Sequence, residues 1–385
     1  TSSSTDSYSA ISDEDVKEIT DSIKEAQYFD ATSMAPLTPT SLAAIARLRA
    51  FKPPPFSTWD RLPLSRKAAV LILLFADRRG DLRVVLTMRA STLRNYSGQA
   101  AFPGGKADTL DEAPFNIARR EAWEEIGLPQ DDAKIPRPFR IEHLCQLPFS
   151  FAKTALAVRP CVAFLHSDDT LGGKAASVED TLIPRLDAKE VAAVFSANFH
   201  NFLREEDEVL EGETVPGKSS DWYKGVWTDF HDSPWRMHNF FVPINNQNVT
   251  RPKVREGGQA AIAERLDEEE EGMTRFRVWG MTGRMLVDAA RIAYGEEPEF
   301  EVRPGSPDCQ TKWRDKYHTS SPVEKFLSPS INRGLTFTKH NIHFGDESMI
   351  ESLYETNRLG EKKPGGPDLT DADIKTARET AVAKI

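Results

Sequence analysis

The sequence predicts an α/β chain, an α+β sandwich in which a mixed sheet lies between helices, with surface insertions and extended tails. Three observations lead there. The longest apolar run, Ala68–Ala76, has the length of a buried strand and falls far short of a membrane span. Strand-like segments alternate with helix-period segments along the middle of the chain. Polar, acid-rich or Pro/Gly-rich stretches interrupt that alternation and flank it.

The elements follow in order. Residues 1–35 are rich in Ser, Thr and acids and read as a tail, with a short helix near Asp13–Ala26. Leu42–Phe51 reads as a helix with Ser41 as its N-cap, stopped by Pro53-Pro54-Pro55. Ala68–Phe75 is a strand, Asp77-Arg78-Arg79-Gly80 a turn, and Leu82–Arg89 the returning strand. Glu112–Ile126 is helical. Ile141–Leu147, Val158–Leu165 and Asn239–Val242 are further strands, and Leu186–Leu203 holds a short helix and a strand in some order. Phe276–Tyr294 begins in a strand and ends in a helix. The expected organisation is an N-terminal tail and short helix over 1–60, one domain over 61–295 with insertions at about 204–224 and 251–272, and a C-terminal extension over 296–385.

Composition bounds the function. With 39% hydrophobic and 28% charged residues, the chain can bury a sizeable core. A net charge of −10 speaks against nucleic acid or an anionic membrane as a partner. Three cysteines, Cys145, Cys161 and Cys309, are too scattered for a zinc site or a disulfide framework.

The chemistry concentrates in GGKADTLDEAPFNIARREAWEEIGL, Gly104–Leu128. At about 100° per residue, Glu121, Glu124 and Glu125 share one arc of a helix. Phe115, Ala118, Ala122 and Ile126 share another, which packs on a sheet. Three carboxylates at one spot repel one another, and a hard divalent cation removes that cost. Arg120 can brace them and pair with Glu112; Gly127 supplies the C-cap. Gly104-Gly105 lets the backbone come close, so a carbonyl there can join a metal shell. The bland alternative, a solvated acidic face, does not require Gly, Glu and Arg-Glu-x-x-Glu-Glu-x-Gly-Leu in that order.

That order is the Nudix box, and the chain resembles the Nudix hydrolase family. Six residues separate Gly105 and Glu112, one more than in the family's usual box. The preceding VLTMRASTLRNYSGQAAFPGG, Val85–Gly105, resembles the extra motif of the family's coenzyme A diphosphatase branch, with Val85 the one conservative departure. That branch also carries the longer loop, with an Asp matched here by Asp108. The similarity is greatest to fungal peroxisomal members and covers about Leu62–Leu203 and Trp279–Tyr294.

The resemblance implies a Nudix fold and hydrolysis of the diphosphate of coenzyme A or its derivatives, giving adenosine 3′,5′-bisphosphate and phosphopantetheine or its acyl form. It implies Mg²⁺ or Mn²⁺ held by Glu121, Glu124, Glu125 and Gly105, with Glu124 or Glu125 as base, and it places Arg89, Arg94, Gly98 and Phe102 at the substrate. Arginine forks suit phosphate oxygens, which supports Arg89 and Arg94 independently; surface ion pairing is their alternative role. Phe102-Pro103 reads more as a loop-shaping pair. Glu190 lies where the family often has a loop acid near its metals, and an ordinary helix-cap acid is the equal alternative. His143, His166, His200 and His238 have no ligand spacing. Trp222, Trp227 and Trp235 suit packing better than adenine stacking. Two rival functions stand beside this one: a Nudix enzyme acting on oxidised nucleotides or dinucleotides, and a non-catalytic Nudix-fold subunit of a large assembly. The complete Arg120, Glu121, Glu124 and Glu125 set disfavours the second.

Ala383-Lys384-Ile385 resembles the tripeptide read by peroxisomal import receptors, so a peroxisome is the expected location. A mitochondrion or the cytoplasm is the alternative, because a leader removed ahead of Thr1 would leave no trace in the sequence. An N-terminally tagged chain is expected to colocalise with peroxisomes and to leave them when residues 383–385 are deleted. A distribution that ignores the deletion rules out that signal.

Overall fold

The computed structural model describes residues 36–300, apart from 54, 56, 78, 91–97, 138, 153, 168–185, 188, 209–216, 230–233, 245–246, 248 and 252–273, together with residues 350, 354 and 376. The 1–35 tail, the insertion at 252–272, Arg94, Cys309 and Ala383–Ile385 lie outside the described residues, as does most of the C-terminal extension.

The centre is β1 (Lys67–Ala76), which explains its unbroken apolar run. Successive side chains of a strand point to opposite faces. Ala68, Ile72 and Leu74 enter one core, and Ala69, Leu71, Leu73 and Phe75 enter a second. A strand covered on both faces needs apolar residues at every position.

Along one edge, Lys67–Leu74 pairs parallel with Ala157–Phe164 of β7 (Ala157–Ser167). On the other edge, Leu74–Ala76 pairs with the start of β2 (Leu82–Arg89). The two strands then splay apart. Segment 100–106 fills the opening as β3 (Ala100–Ala101) on β2 and β4 (Gly104–Lys106) on β1. Gly104 is required there, because an added Cβ would overlap the Ala69 carbonyl and Val70. β5 (Phe139–Gln146) and β6 (Ser150–Phe151) pair with β7, and β8 (Val191–Asn198) with β2, which makes a mixed sheet of eight strands.

Helices cover both faces, as the sandwich expectation requires. One face carries α1 (Pro39–Ala50) and the C-terminal helix of the described domain, α4 (Gly280–Tyr294); α2 (Thr58–Arg61), a single turn ahead of β1, buries Trp59 in the other core. The other carries α3 (Pro114–Ile126), which buries Ile117, Ala118, Ala122 and Ile126 against the odd-numbered residues of β1. Replacing Ile117 by Ala would cost about 2–5 kcal/mol on the usual scale for buried aliphatics. Pro114 starts α3 at its first turn, and Gly127, at φ 74°, ends it. No helix among the described residues is long and apolar enough to cross a membrane.

Several boundaries differ from the sequence reading. Thr38, not Ser41, caps α1: its hydroxyl accepts the Ser41 N–H, which places Ser41 inside the first turn. Glu112 lies two residues ahead of α3 rather than in it. In 186–203 the strand comes first, and a helical turn at His200–Leu203 follows. Small sheets β9–β10 (Val226–Asp229, Pro234–Met237) and β11–β12 (Asn239–Pro243, Arg275–Trp279) complete the described chain. Trp222 is core, packed on Phe202 and Phe240 with its indole N–H donating to the Asn201 carbonyl, while Trp227 and Trp235 lie half-buried on the β9–β10 hairpin. Among the histidines, His143 stacks on Phe115, His166 bonds Glu142, and His238 bonds Tyr223.

His200 ties the start of the 204–224 insertion to the end of α4. Its ring bonds Glu208 at 2.7 Å and Glu296 at 3.1 Å. Burial opposes its charge, but the two carboxylates outweigh burial and hold its pKa at about 9. The folded value therefore lies above the unfolded value of about 6.5. Its stabilisation is complete below about pH 6.5 and is lost as the pH rises through about 9. We expect the Tm difference between the parent and His200→Ala to be largest near pH 6 and to shrink by pH 9.5. A constant difference across that window would show that the charge of His200 contributes nothing.

Candidate active site

The site forms where α3 passes β4 and the end of β2. α3 presents Glu121 and Glu124 on its outer side, and Glu125 turns inward, where it is only 4% exposed. The Glu125 carboxylate accepts the Gly104 N–H at 3.2 Å, and Arg89 at the end of β2 comes within 3.9 Å of it. Gly105 faces Glu121, and a Cβ at Gly105 would land on the Glu121 carboxylate. Gly104 is therefore a steric requirement toward the sheet, whereas a Cβ at Gly105 would displace the end of the Glu121 side chain.

Arg120 organises the outer half. Its Nη1 donates to Glu121 at 3.0 Å and to Glu124 at 3.2 Å, its Nε to Glu112 at 2.9 Å, and its Nη2 to the Lys106 carbonyl at 2.7 Å. Asp108 adds an ion pair at 3.3 Å. A planar fork of five donors can satisfy this many acceptors, which a lysine cannot do. Glu112 also accepts the Asp108 N–H, which folds the Gly-to-helix loop back on itself. Partial burial opposes the Glu112 charge, yet Arg120 and the Asp108 N–H hold its carboxyl below the usual range.

The inner half lacks a comparable counter-charge. Burial pushes the Glu125 carboxyl up to about 8; Arg89 resists the rise, and Glu121 and Glu190 add to it. Burial likewise raises Glu121, with Arg120 opposing and Glu124 and Glu190 reinforcing. Carboxyls kept from ionising by burial and by one another are a site that a cation would relieve. Among the described residues, no three acidic, His or Cys side chains converge on one point. The reason is local: Arg120 draws Glu121 and Glu124 outward while Gly104 holds Glu125 inward.

The remaining predicted residues divide. Glu190 is exposed in the turn before β8, and its charge acts on both Glu121 and Glu125. The capping of that turn belongs to Asp187, whose carboxylate accepts the Lys189 N–H, so the helix-cap alternative for Glu190 does not hold. Gly98 takes φ 62° in the turn that returns toward β3, where its N–H donates to the Arg89 carbonyl. Phe102 is buried in the core cluster that includes α1 and α4, in keeping with a loop-shaping role for Phe102-Pro103. Two contributors escaped the sequence reading. Arg119 is buried, bonding the Pro129 and Gln130 carbonyls and pairing with Asp132, which fixes the loop leaving α3. Lys67 is buried beneath the loop that carries Glu112. Neither carries a signal in a single sequence, since a charged residue beside an apolar run ordinarily faces solvent.

The geometry agrees with comparisons to known proteins. The NUDIX domain model matches residues 65–196. A Saccharomyces cerevisiae peroxisomal coenzyme A diphosphatase is 34% identical over 263 residues, which span 64% of this chain and 74% of that protein. A mouse peroxisomal coenzyme A diphosphatase is 35% identical over 123 residues, or 32% of this chain and 48% of that protein. A chloroplastic Nudix hydrolase of Arabidopsis thaliana is 30% identical over 238 residues, or 61% of this chain and 58% of that protein, so the chain spans less than two thirds of these last two relatives. By its matching domain, its similarity across most of the yeast relative, and its mixed sheet between helices, this chain belongs to the Nudix hydrolase family of pyrophosphohydrolases.

Proposed function

We propose that the chain is a coenzyme A diphosphatase, which hydrolyses the diphosphate of coenzyme A or a derivative to adenosine 3′,5′-bisphosphate and phosphopantetheine or its acyl form. The observation that carries this reading is the contact between two motifs. The segment Val85–Gly105, whose sequence is typical of that branch, brings Arg89, Gly104 and Gly105 against the carboxylates of α3. The names of the yeast and mouse relatives support the substrate and a peroxisomal location, and other relatives carry mitochondrial and chloroplastic names.

The residues present fit a divalent cation: Glu121, Glu124 and Glu125, with the Gly105 carbonyl, would hold it. Bound Mg²⁺ or Mn²⁺ supplies neutralisation of the phosphate charge and a lowered pKa for the attacking water. Arg120, held by Glu112, Asp108 and the Lys106 carbonyl, would set where Glu121 and Glu124 meet the cation. Arg89 offers a fork to a phosphate oxygen beside Glu125. The proton from the attacking water goes to Glu124, at the open end of the cluster, or to Glu125, at its buried end.

Glu121→Gln and Glu125→Gln are each expected to lower kcat by about 100-fold or more, the scale of losing a group that prepares the attacking water. Both are also expected to weaken Mg²⁺ binding in calorimetry; near-parental turnover in both removes the catalytic assignment. Across coenzyme A, its disulfide, acyl forms and plain nucleotides, a coenzyme A form is expected to give the highest kcat/KM. Arg89→Ala should raise KM about ten-fold or more, as expected for one charged hydrogen bond of about 1.5 kcal/mol or more. A nucleotide that outperforms every coenzyme A form would transfer the assignment to nucleotide hydrolysis. Metal-supplemented protein that turns over neither class would point to a non-catalytic role.

A further inference from the structure

We propose that Lys67 is a positioning residue for the carboxylate cluster, acting through the loop between Gly105 and Glu112. Lys67 opens β1 and is 1% exposed, among the largest fully buried side chains of the described domain. Its side chain reaches out of the sheet rather than into solvent. Nζ donates to the Leu110 carbonyl at 3.2 Å and lies 5.3 Å from the centroid of the Trp59 ring, which itself stacks on Phe149. Its own backbone carbonyl accepts the Ala107 N–H at 3.1 Å. One residue thus holds both ends of 107–110.

That loop is where the chain is one residue longer than the family's usual box. Extra length at a surface loop adds conformations, and the loop's function depends on suppressing them. From 110 onward the connections are atom to atom. Glu112 is two residues beyond the Leu110 carbonyl and closes the loop by accepting the Asp108 N–H. Glu112 and Asp108 both grip the Arg120 guanidinium, and Arg120 bonds Glu121 and Glu124. Removing the Lys67 ammonium frees the Leu110 carbonyl and lets Glu112 and Asp108 drift from Arg120.

A buried ammonium is a costly way to satisfy one carbonyl. An apolar side chain of similar volume would fill the space without needing a polar partner, whereas the ammonium needs the Leu110 carbonyl and the Trp59 face. Lys67 is therefore assigned to geometry rather than to stability. The two roles differ in what they predict: a stabilising residue lowers Tm when removed, whereas a positioning residue lowers kcat with Tm held or raised.

The test uses the full chain and three variants, Lys67→Met, Glu112→Gln and the double substitution. Lys67→Met keeps the length of the side chain and removes its donors. We expect Lys67→Met to lower kcat for coenzyme A hydrolysis about ten-fold, with KM within two-fold of the parent and Tm unchanged or higher. Because both residues act through Arg120, their kcat effects should be strongly non-additive, with the double variant little worse than Glu112→Gln. Amide hydrogen exchange supplies a readout that needs no substrate. Exchange at Ala107 and Asp108 should accelerate in Lys67→Met, with Leu71–Leu74 of β1 unchanged. The kinetic part rests on the coenzyme A reading; a parent that does not cleave coenzyme A overturns that reading and leaves the exchange result to decide on Lys67. Parental kcat with parental exchange in the loop overturns the proposal, as do multiplicative kcat effects. If Lys67→Met does not fold, Lys67→Gln takes its place, and failure of both to fold assigns Lys67 to the core and overturns it as well.

Discussion

The constraint on which the rest depends is the placement of segment 100–106 between two strands that have parted. β1 and β2 bond only near their connecting turn, and the opening beyond it admits one more stretch of backbone. That backbone must pass Ala69 and Val70 at distances that exclude a Cβ, and it then runs beside the Glu121 carboxylate. Gly104 is the consequence, and it puts a backbone N–H on Glu125, with Gly105 beside Glu121. A substitution at Gly104 would push the segment out of the sheet, and one at Gly105 would displace the Glu121 carboxylate, so the fold and the site depend on adjacent residues.

Around that point the carboxylates divide into two electrostatic environments. Glu112, Glu121 and Glu124 share the Arg120 fork near solvent. Glu125 is enclosed, with one N–H and a distant arginine, and its carboxyl rises to about 8. Such an arrangement stores unfavourable electrostatics at one place in an otherwise conventionally packed domain, and functional sites are where proteins tolerate this. Elsewhere, ion pairs give acidic groups a close counter-charge. Asp207 pairs with Arg275 at 2.6 Å, Glu142 with Arg49 at 2.7 Å, and the Arg49 bond holds the Glu142 carboxyl down at about 2.

Much of the fold was legible because β1 and α3 obey simple periodicities. An apolar run of strand length belongs to a central strand, and Pro114 and Gly127 mark the ends of α3. Boundaries went astray where a polar side chain competes locally. Thr38 and Ser41 both suit a cap, and the choice follows from Pro39, which sits well in a first turn and so moves the cap back to Thr38. For Phe102 the motif marks a segment without saying which face of the sheet each side chain takes, and its burial is seen only in the structure.

The sequence by itself determined the family, the acidic helix and the residues brought near it, because order and spacing along a helix fix which side chains share an arc. Only the tertiary structure decided that Glu125 is buried while Glu124 is open, that Arg89 faces Glu125, and that Lys67 lies under the loop before α3. The physical reason is that burial and the sign of the nearest charge depend on what packs across the gap between elements. Here that partner is a strand pair and a glycine-lined segment far from α3's own turns, and helical spacing carries no record of it.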